Sequence, residues 1–135
     1  MWAVVFCAIL GLISGCGSGS DENTPAGEAP VAVYHRITAG QAKEMMDEGN
    51  PYVLLDVRTD AEFAEKRIDG AILIPDYEIA DRAADELPDR EILILIYCRS
   101  GNRSATAARK MIAMGYTNVY DFGGIIDWPY DTVKD

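Results

Sequence analysis

Six large apolar residues stand in unbroken succession at Ile92-Leu93-Ile94-Leu95-Ile96-Tyr97. A strand with one wet face alternates apolar and polar side chains, so an unbroken run belongs in a sheet covered on both faces. Shorter runs of the same kind occur at Val53-Leu54-Leu55 and Ala71-Ile72-Leu73-Ile74. The helical segments around them have readable starts. Thr38-Ala39-Gly40-Gln41 and Thr59-Asp60-Ala61-Glu62 both carry capping-box spacing, in which the threonine hydroxyl and the Gln or Glu side chain satisfy each other's backbone amides. Strands alternating with helices of roughly ten residues predict an α/β domain with a mainly parallel central sheet flanked by helices on both faces.

The longest run leads into Cys98-Arg99-Ser100-Gly101-Asn102-Arg103-Ser104, and then into the helix-like Ala105-Thr106-Ala107-Ala108-Arg109-Lys110-Met111-Ile112. A thiol thus sits where a strand hands over to a helix, at the carboxyl edge of the sheet where ligands of such folds bind. Free amides of a tight loop and of a first helical turn converge there and favour an anion. Arg99 and Arg103 add to that field, which predicts a thiolate nucleophile at Cys98. Ser104 is placed to cap the helix, while Gly101 and Asn102 tolerate left-handed backbone in a curled loop. Ala105, Ala108 and Ile112 recur at helical spacing as a small-residue stripe toward the sheet, and Gly115 offers a stop. The plain alternative is a buried, inert cysteine with solvated arginines.

Cysteine-dependent phosphatases carry Cys-x5-Arg, whereas the arginine here falls one residue earlier, at Arg103, and closes a smaller ring. The loop resembles the active-site loop of the rhodanese (thiosulfate sulfurtransferase) family, whose single-domain members often read Cys-Arg-x-Gly-x-Arg-Ser. Leu54-Leu55-Asp56-Val57-Arg58 is similar to the family's Asp-Val-Arg motif, and Asp60-Ala61-Glu62-Phe63 continues it. Ile68-Asp69-Gly70-Ala71-Ile72-Leu73-Ile74-Pro75 resembles the family's Gly-His-Ile-Pro-Gly-Ala segment and following strand, with Lys66-Arg67 in place of the Gly-His. Val119-Tyr120-Asp121-Phe122-Gly123-Gly124-Ile125-Ile126-Asp127-Trp128 resembles its last strand, Gly-Gly turn and Trp-ended short helix.

The resemblance implies one rhodanese-like domain over residues 33–135, without cofactor or metal. It implies a sulfurtransferase that moves sulfane sulfur from thiosulfate or a related donor, through a Cys98 persulfide, to a thiol or cyanide. Cys98 is then catalytic, and Arg99, Ser100, Gly101, Asn102, Arg103 and Ser104 bind the substrate. Such transfer needs a thiolate, a leaving anion and hydrogen-bond donors, but no histidine base. Asp56 and Arg58 end a strand at the same edge, where they either contact substrate or form structural ion pairs, for example Arg58 with Glu62. Phe122 and Trp128 wall the pocket or fill the core. Two other classes stay open: a binding or sulfur-carrier module that does not turn over, and a phosphatase or arsenate reductase, which the small ring disfavours.

The N-terminal segment points to location. Residues 2–13 are almost wholly apolar, too few to span a bilayer but suited to a signal peptide. Ile13-Ser14-Gly15-Cys16 resembles the bacterial lipobox, which implies a lipoprotein signal peptide at 1–15 and lipidation of Cys16. No Lys or Arg precedes the apolar run, a departure from the usual basic start. Residues 17–32 are rich in Gly, Ser, Pro and acidic residues and read as a flexible tether spanning roughly 20–24 Å on average. The expected location is the periplasmic or extracytoplasmic face of a bacterial membrane. Of three cysteines, Cys7 would leave with the signal peptide and Cys16 would carry lipid, leaving Cys98 as the lone thiol of the mature domain. A lone thiol makes no internal disulfide and has no resolving partner, so any sulfur acceptor comes from outside.

A formal net charge of −10 makes nucleic acid a poor partner, and an anionic substrate must be drawn by the local positive loop against the global field. A salt-sensitive Michaelis constant is the expected result. Asp81, Asp85, Glu86, Asp89 and Glu91 read as a solvated face, and His35, the sole histidine, as a surface or packing residue.

Overall fold

The computed structural model describes residues 32–135. The predicted signal peptide, Cys7, Cys16 and nearly all of the tether lie outside the described residues. Five parallel strands form one sheet in the order β1 (His35–Arg36), β5 (Val119–Gly124), β4 (Leu93–Cys98), β2 (Tyr52–Asp56), β3 (Ile72–Leu73). All of the apolar run but Ile92 therefore lies in the central strand, where Leu93–Tyr97 pair with β2 and Ile94–Ile96 also pair with β5.

Side chains leave β4 alternately toward two cores, as period-2 geometry requires. Ile94, Ile96 and Cys98 join Leu55, Val57, Ile74 and Val119 beneath α3 (Ile79–Glu86) and α4 (Asn102–Ala113). Leu95 and Tyr97 join Leu54, Ile68, Phe122 and Trp128 beneath α1 (Ala39–Asp47). Phe122 and Trp128 thus belong to the core, their rings 5.4 Å apart. The Tyr97 hydroxyl accepts from the Ile68 amide at 3.2 Å, and burial, with Asp56 nearby, pushes its ionisation well above the usual range.

Both capping boxes form. Thr38 Oγ1 accepts from the Gln41 amide and Gln41 Oε1 from the Thr38 amide, at 3.1 and 2.9 Å. Thr59 and Glu62 repeat the pattern at the start of α2 (Asp60–Glu65), at 3.3 and 3.1 Å. Gly115, with φ +99°, ends α4.

The start of α4 differs from expectation. Its cap is Gly101, with φ +106°, while Asn102 opens the helix in ordinary right-handed backbone and Ser104 lies inside the first turn. Ser104 is drawn inward by a buried acceptor described below, and this rotates the helix. Its buried stripe is consequently Ser104, Ala107, Ala108 and Met111, with Ala105 and Ile112 only partly covered. His35 stacks on Tyr120 at 4.6 Å, and the five acidic residues from Asp81 to Glu91 are all exposed.

Candidate active site

Cys98 is the last residue of β4 and 1% exposed. The ladder between β4 and β5 shifts register between Ile96 and Cys98, so that Cys98 lies opposite Gly124. Three residues on, the chain has curled back far enough for the Gly101 amide to donate to Cys98 Sγ at 2.9 Å. The amides of Asn102, Arg103 and Ser104, first in α4, have no backbone acceptor among the described residues. One amide therefore donates to the sulfur, and three more at the start of the helix are without a backbone acceptor.

Glycines make this curl possible. A Cβ on Gly124 would stand 2.2 Å from the Arg99 carbonyl oxygen and 2.6 Å from Ser100 Cα. On Gly123 it would stand 2.7 Å from Arg36 Nη2, and on Gly101 2.9 Å from the same atom. The Gly-Gly pair that ends β5 is thus the seat of the cysteine loop, and the half-exposed Arg36 guanidinium lies across both.

Beneath the loop is a residue that sequence reasoning passed over. Asp121, fully buried on β5, accepts four hydrogen bonds. Ser104 Oγ and the Gly123 amide donate to Oδ1, each at 2.8 Å. Tyr34 Oη and Arg36 Nη1 donate to Oδ2, at 2.6 and 3.0 Å. Burial, then the bond to Asp121, raises the Tyr34 ionisation. Ser104 Oγ stands 3.5 Å from Cys98 Sγ, so one hydroxyl links the carboxylate to the thiol. The available signal was an acidic residue inside an otherwise apolar strand, where only a dedicated set of donors offsets burial.

The arginines divide by partner. Arg58 pairs with Asp56 itself, Nη2 to Oδ2 at 2.6 Å and Nε to both carboxylate oxygens at 3.0 Å. It also donates to the Lys66 carbonyl, and both members of the pair are buried. The suggested Arg58–Glu62 pair is not formed, because Glu62 is taken by Arg103 in a two-pronged contact at 2.9 and 2.9 Å. These bonds, chiefly from Arg103, lower the Glu62 carboxyl to about 2. Arg99 and Ser100 are exposed, as is Asn102. Beside the loop is a cavity of about 290 Å³ lined by Arg58, Glu62, Glu65, Lys66, Arg99, Ile125 and Ile126. Among the described residues no cluster of His, Cys, Asp and Glu is placed to hold a metal ion.

The architecture is a parallel α/β sheet with a buried cysteine at the end of its central strand and a loop amide donating to its sulfur. The chain belongs to the Rhodanese-like domain family, which matches residues 38–129. It is 35% identical over 80 residues to the thiosulfate sulfurtransferase PspE of Escherichia coli, covering 59% of this chain and 77% of that protein. It is 34% identical over 97 residues to a sulfurtransferase of Allochromatium vinosum, covering 71% of this chain and 89% of the other. Among solved structures, a rhodanese with anions from E. coli superposes with TM-score 0.59 at 33% identity, over 63% of this chain and 100% of that one.

Two outcomes follow from the pairings. Asp121→Ala leaves buried donors unsatisfied and lowers stability by at least about 2 kcal/mol in denaturant titration, with Asp121→Asn recovering part of the loss. Glu62 stays charged in the folded chain down to about pH 2 but titrates near 4.5 when unfolded, so its contribution is full above 4.5 and lost as pH falls toward 2. The Tm gap between the parent and Glu62→Gln is therefore constant above pH 5 and closes between about pH 4.5 and 2.

Proposed function

We propose that this protein is a sulfurtransferase that carries sulfane sulfur on Cys98 as a persulfide. The observation that carries the reading is the Cys98 sulfur, buried at the head of α4 with the Gly101 amide on it and three further amides free of backbone acceptors. Preorganised donors of this kind stabilise negative charge on a terminal sulfur in the way an oxyanion hole stabilises oxygen. Family membership and the sulfurtransferases among its relatives support the same chemistry.

With thiosulfate as donor, the Cys98 thiol first loses its proton to solvent. Its sulfur then attacks the outer sulfur of thiosulfate. The Sγ–S bond forms as the S–S bond of the donor breaks, and the electron pair leaves with sulfite. A thiol, or cyanide in assay, then takes the outer sulfur and restores Cys98, giving a two-step exchange through a covalent intermediate. Arg99, exposed at the cavity, holds the donor's anionic group. Arg103 acts on the loop from within its clasp with Glu62.

We further propose export and lipid anchoring at Cys16, on the apolar segment 2–13 and the Ile13-Ser14-Gly15-Cys16 sequence. In that arrangement the domain works at an extracytoplasmic membrane face with sulfur donors and acceptors delivered from outside.

Intact mass of the reduced full chain, before and after thiosulfate, tests the first reading. The parent gains one sulfur atom that cyanide removes, and Cys98→Ser gains none; absence of any gain with thiosulfate or polysulfide overturns it. Growth of bacteria expressing the chain on radiolabelled fatty acid tests the second. Label in the parent and none in Cys16→Ser is expected, and an unlabelled parent refutes anchoring.

A further inference from the structure

α2 is only six residues long, and a helix that short does not hold its own last turn. Of its final carbonyls only that of Glu62 is satisfied within the helix, by the Lys66 amide at 3.1 Å. Groups outside the helix cap three more. Arg67 Nη1 donates to the Phe63 carbonyl at 3.2 Å, the Asp135 amide to the Ala64 carbonyl at 3.0 Å, and Arg58 Nη2 to the Lys66 carbonyl.

Two of these capping groups are tied to each other. Arg67 and Val133 exchange backbone hydrogen bonds at 2.9 and 2.8 Å, as an isolated antiparallel bridge. The Arg67 guanidinium lies over the Phe63 ring at 4.7 Å and pairs with Asp135 Oδ1 at 2.7 Å. Residues 133–135 are thereby clasped to the end of α2.

The clasp adjoins the cavity beside Arg99, because Glu65 and Lys66, adjacent in sequence and opposite in charge, both stand on its wall. Both are exposed, and neither they nor Arg99 has an ion-pair partner among the described residues. An anionic sulfur donor is attracted by Lys66 and Arg99 and repelled by Glu65. Lys66 leaves the helix in extended backbone, φ −165° and ψ 129°, with its carbonyl bound by Arg58. Which of the two neighbours meets a donor is fixed only while that backbone is held.

We propose that Arg67 is a positioning residue for substrate binding: with residues 133–135 it holds the end of α2 so that Lys66, and not Glu65, meets the anionic sulfur donor alongside Arg99. Arg67 is not itself part of the cavity wall. The proposal rests on sulfur transfer through Cys98 and names a residue that sets donor affinity from outside the cavity. The clasp makes no contact with the reactive sulfur, so it governs how tightly a donor binds and not how fast a bound donor reacts.

The test follows thiocyanate formation from thiosulfate at saturating cyanide, using the full chain as the parent, Lys66→Gln, Arg67→Ala and the double variant. Each single change is expected to raise KM for thiosulfate about fivefold, the size of one exposed charge contact, with kcat unchanged. Arg67→Lys, which keeps the pair with Asp135, recovers part of the affinity. Because Arg67 acts through Lys66, KM in the double variant rises no further than in either single one. Independent effects that multiply to about 25-fold in the double variant overturn the proposal. A KM that Arg67→Ala leaves unmoved, or a kcat that falls with it, does the same. Should Arg67→Ala not fold, Asp135→Ala takes its place, since that side chain is 65% exposed. It is expected to raise KM about twofold in the parent and not at all in Lys66→Gln, and an unmoved KM in the parent refutes the proposal. Turnover by the parent with no effect of the clasp variants sinks this inference alone, whereas a parent that takes no sulfur from thiosulfate removes the sulfurtransferase reading with it.

Discussion

A single buried carboxylate holds the reactive end of this domain together. Asp121 is fully buried, so its four donors are obligatory, and they come from four separate places: the segment before β1, β1 itself, the end of β5 and the first turn of α4. Meeting that demand sets the rotation of α4, since Ser104 must face inward. The helix rotation in turn sets which amides surround Cys98. The geometry of the thiol is thus decided on a neighbouring strand, by a group that never touches the sulfur.

Electrostatics at the carboxyl edge works by subtraction. The sequence offers several cations near the cysteine, and most are matched locally: Arg58 by Asp56, Arg103 by Glu62, Arg36 by Asp121. These pairs fix loops in place and contribute little net field. What remains for a ligand is the backbone amides at the helix start and a few exposed side chains, which matters in a chain of net charge −10. Recognition here depends on local pattern more than on overall attraction.

The fold was legible because its determinants are local or periodic. Unbroken apolar runs announce a doubly covered sheet, and threonines three residues ahead of Gln or Glu announce helix starts. The thiol at a strand-to-helix handover was legible for the same reason. What escaped was long-range pairing. Ser104 reads as a cap until Asp121, 17 residues away, is seen to claim its hydroxyl. Glu62 reads as a partner for Arg58 until Arg103, 41 residues away, is found beside it. Local spacing carries no information about which of several acceptors a folded chain brings closest, so pairings across elements were the part left open.

β1 is only two residues long, yet Arg36 from it and Tyr34 just before it grip the carboxylate beneath the cysteine loop, and Arg109 of α4 lies over the Tyr34 ring at 4.6 Å. The first strand of the described domain is therefore mechanically in series with the reactive loop. A load applied to the chain ahead of Tyr34 reaches the thiol's surroundings through two side chains and one carboxylate, without passing through the body of the sheet. A short edge strand of this kind is the least costly element to peel away. Whatever holds the N-terminal end of the domain, or tugs on it, is joined by a short linkage to the order of the loop around Cys98.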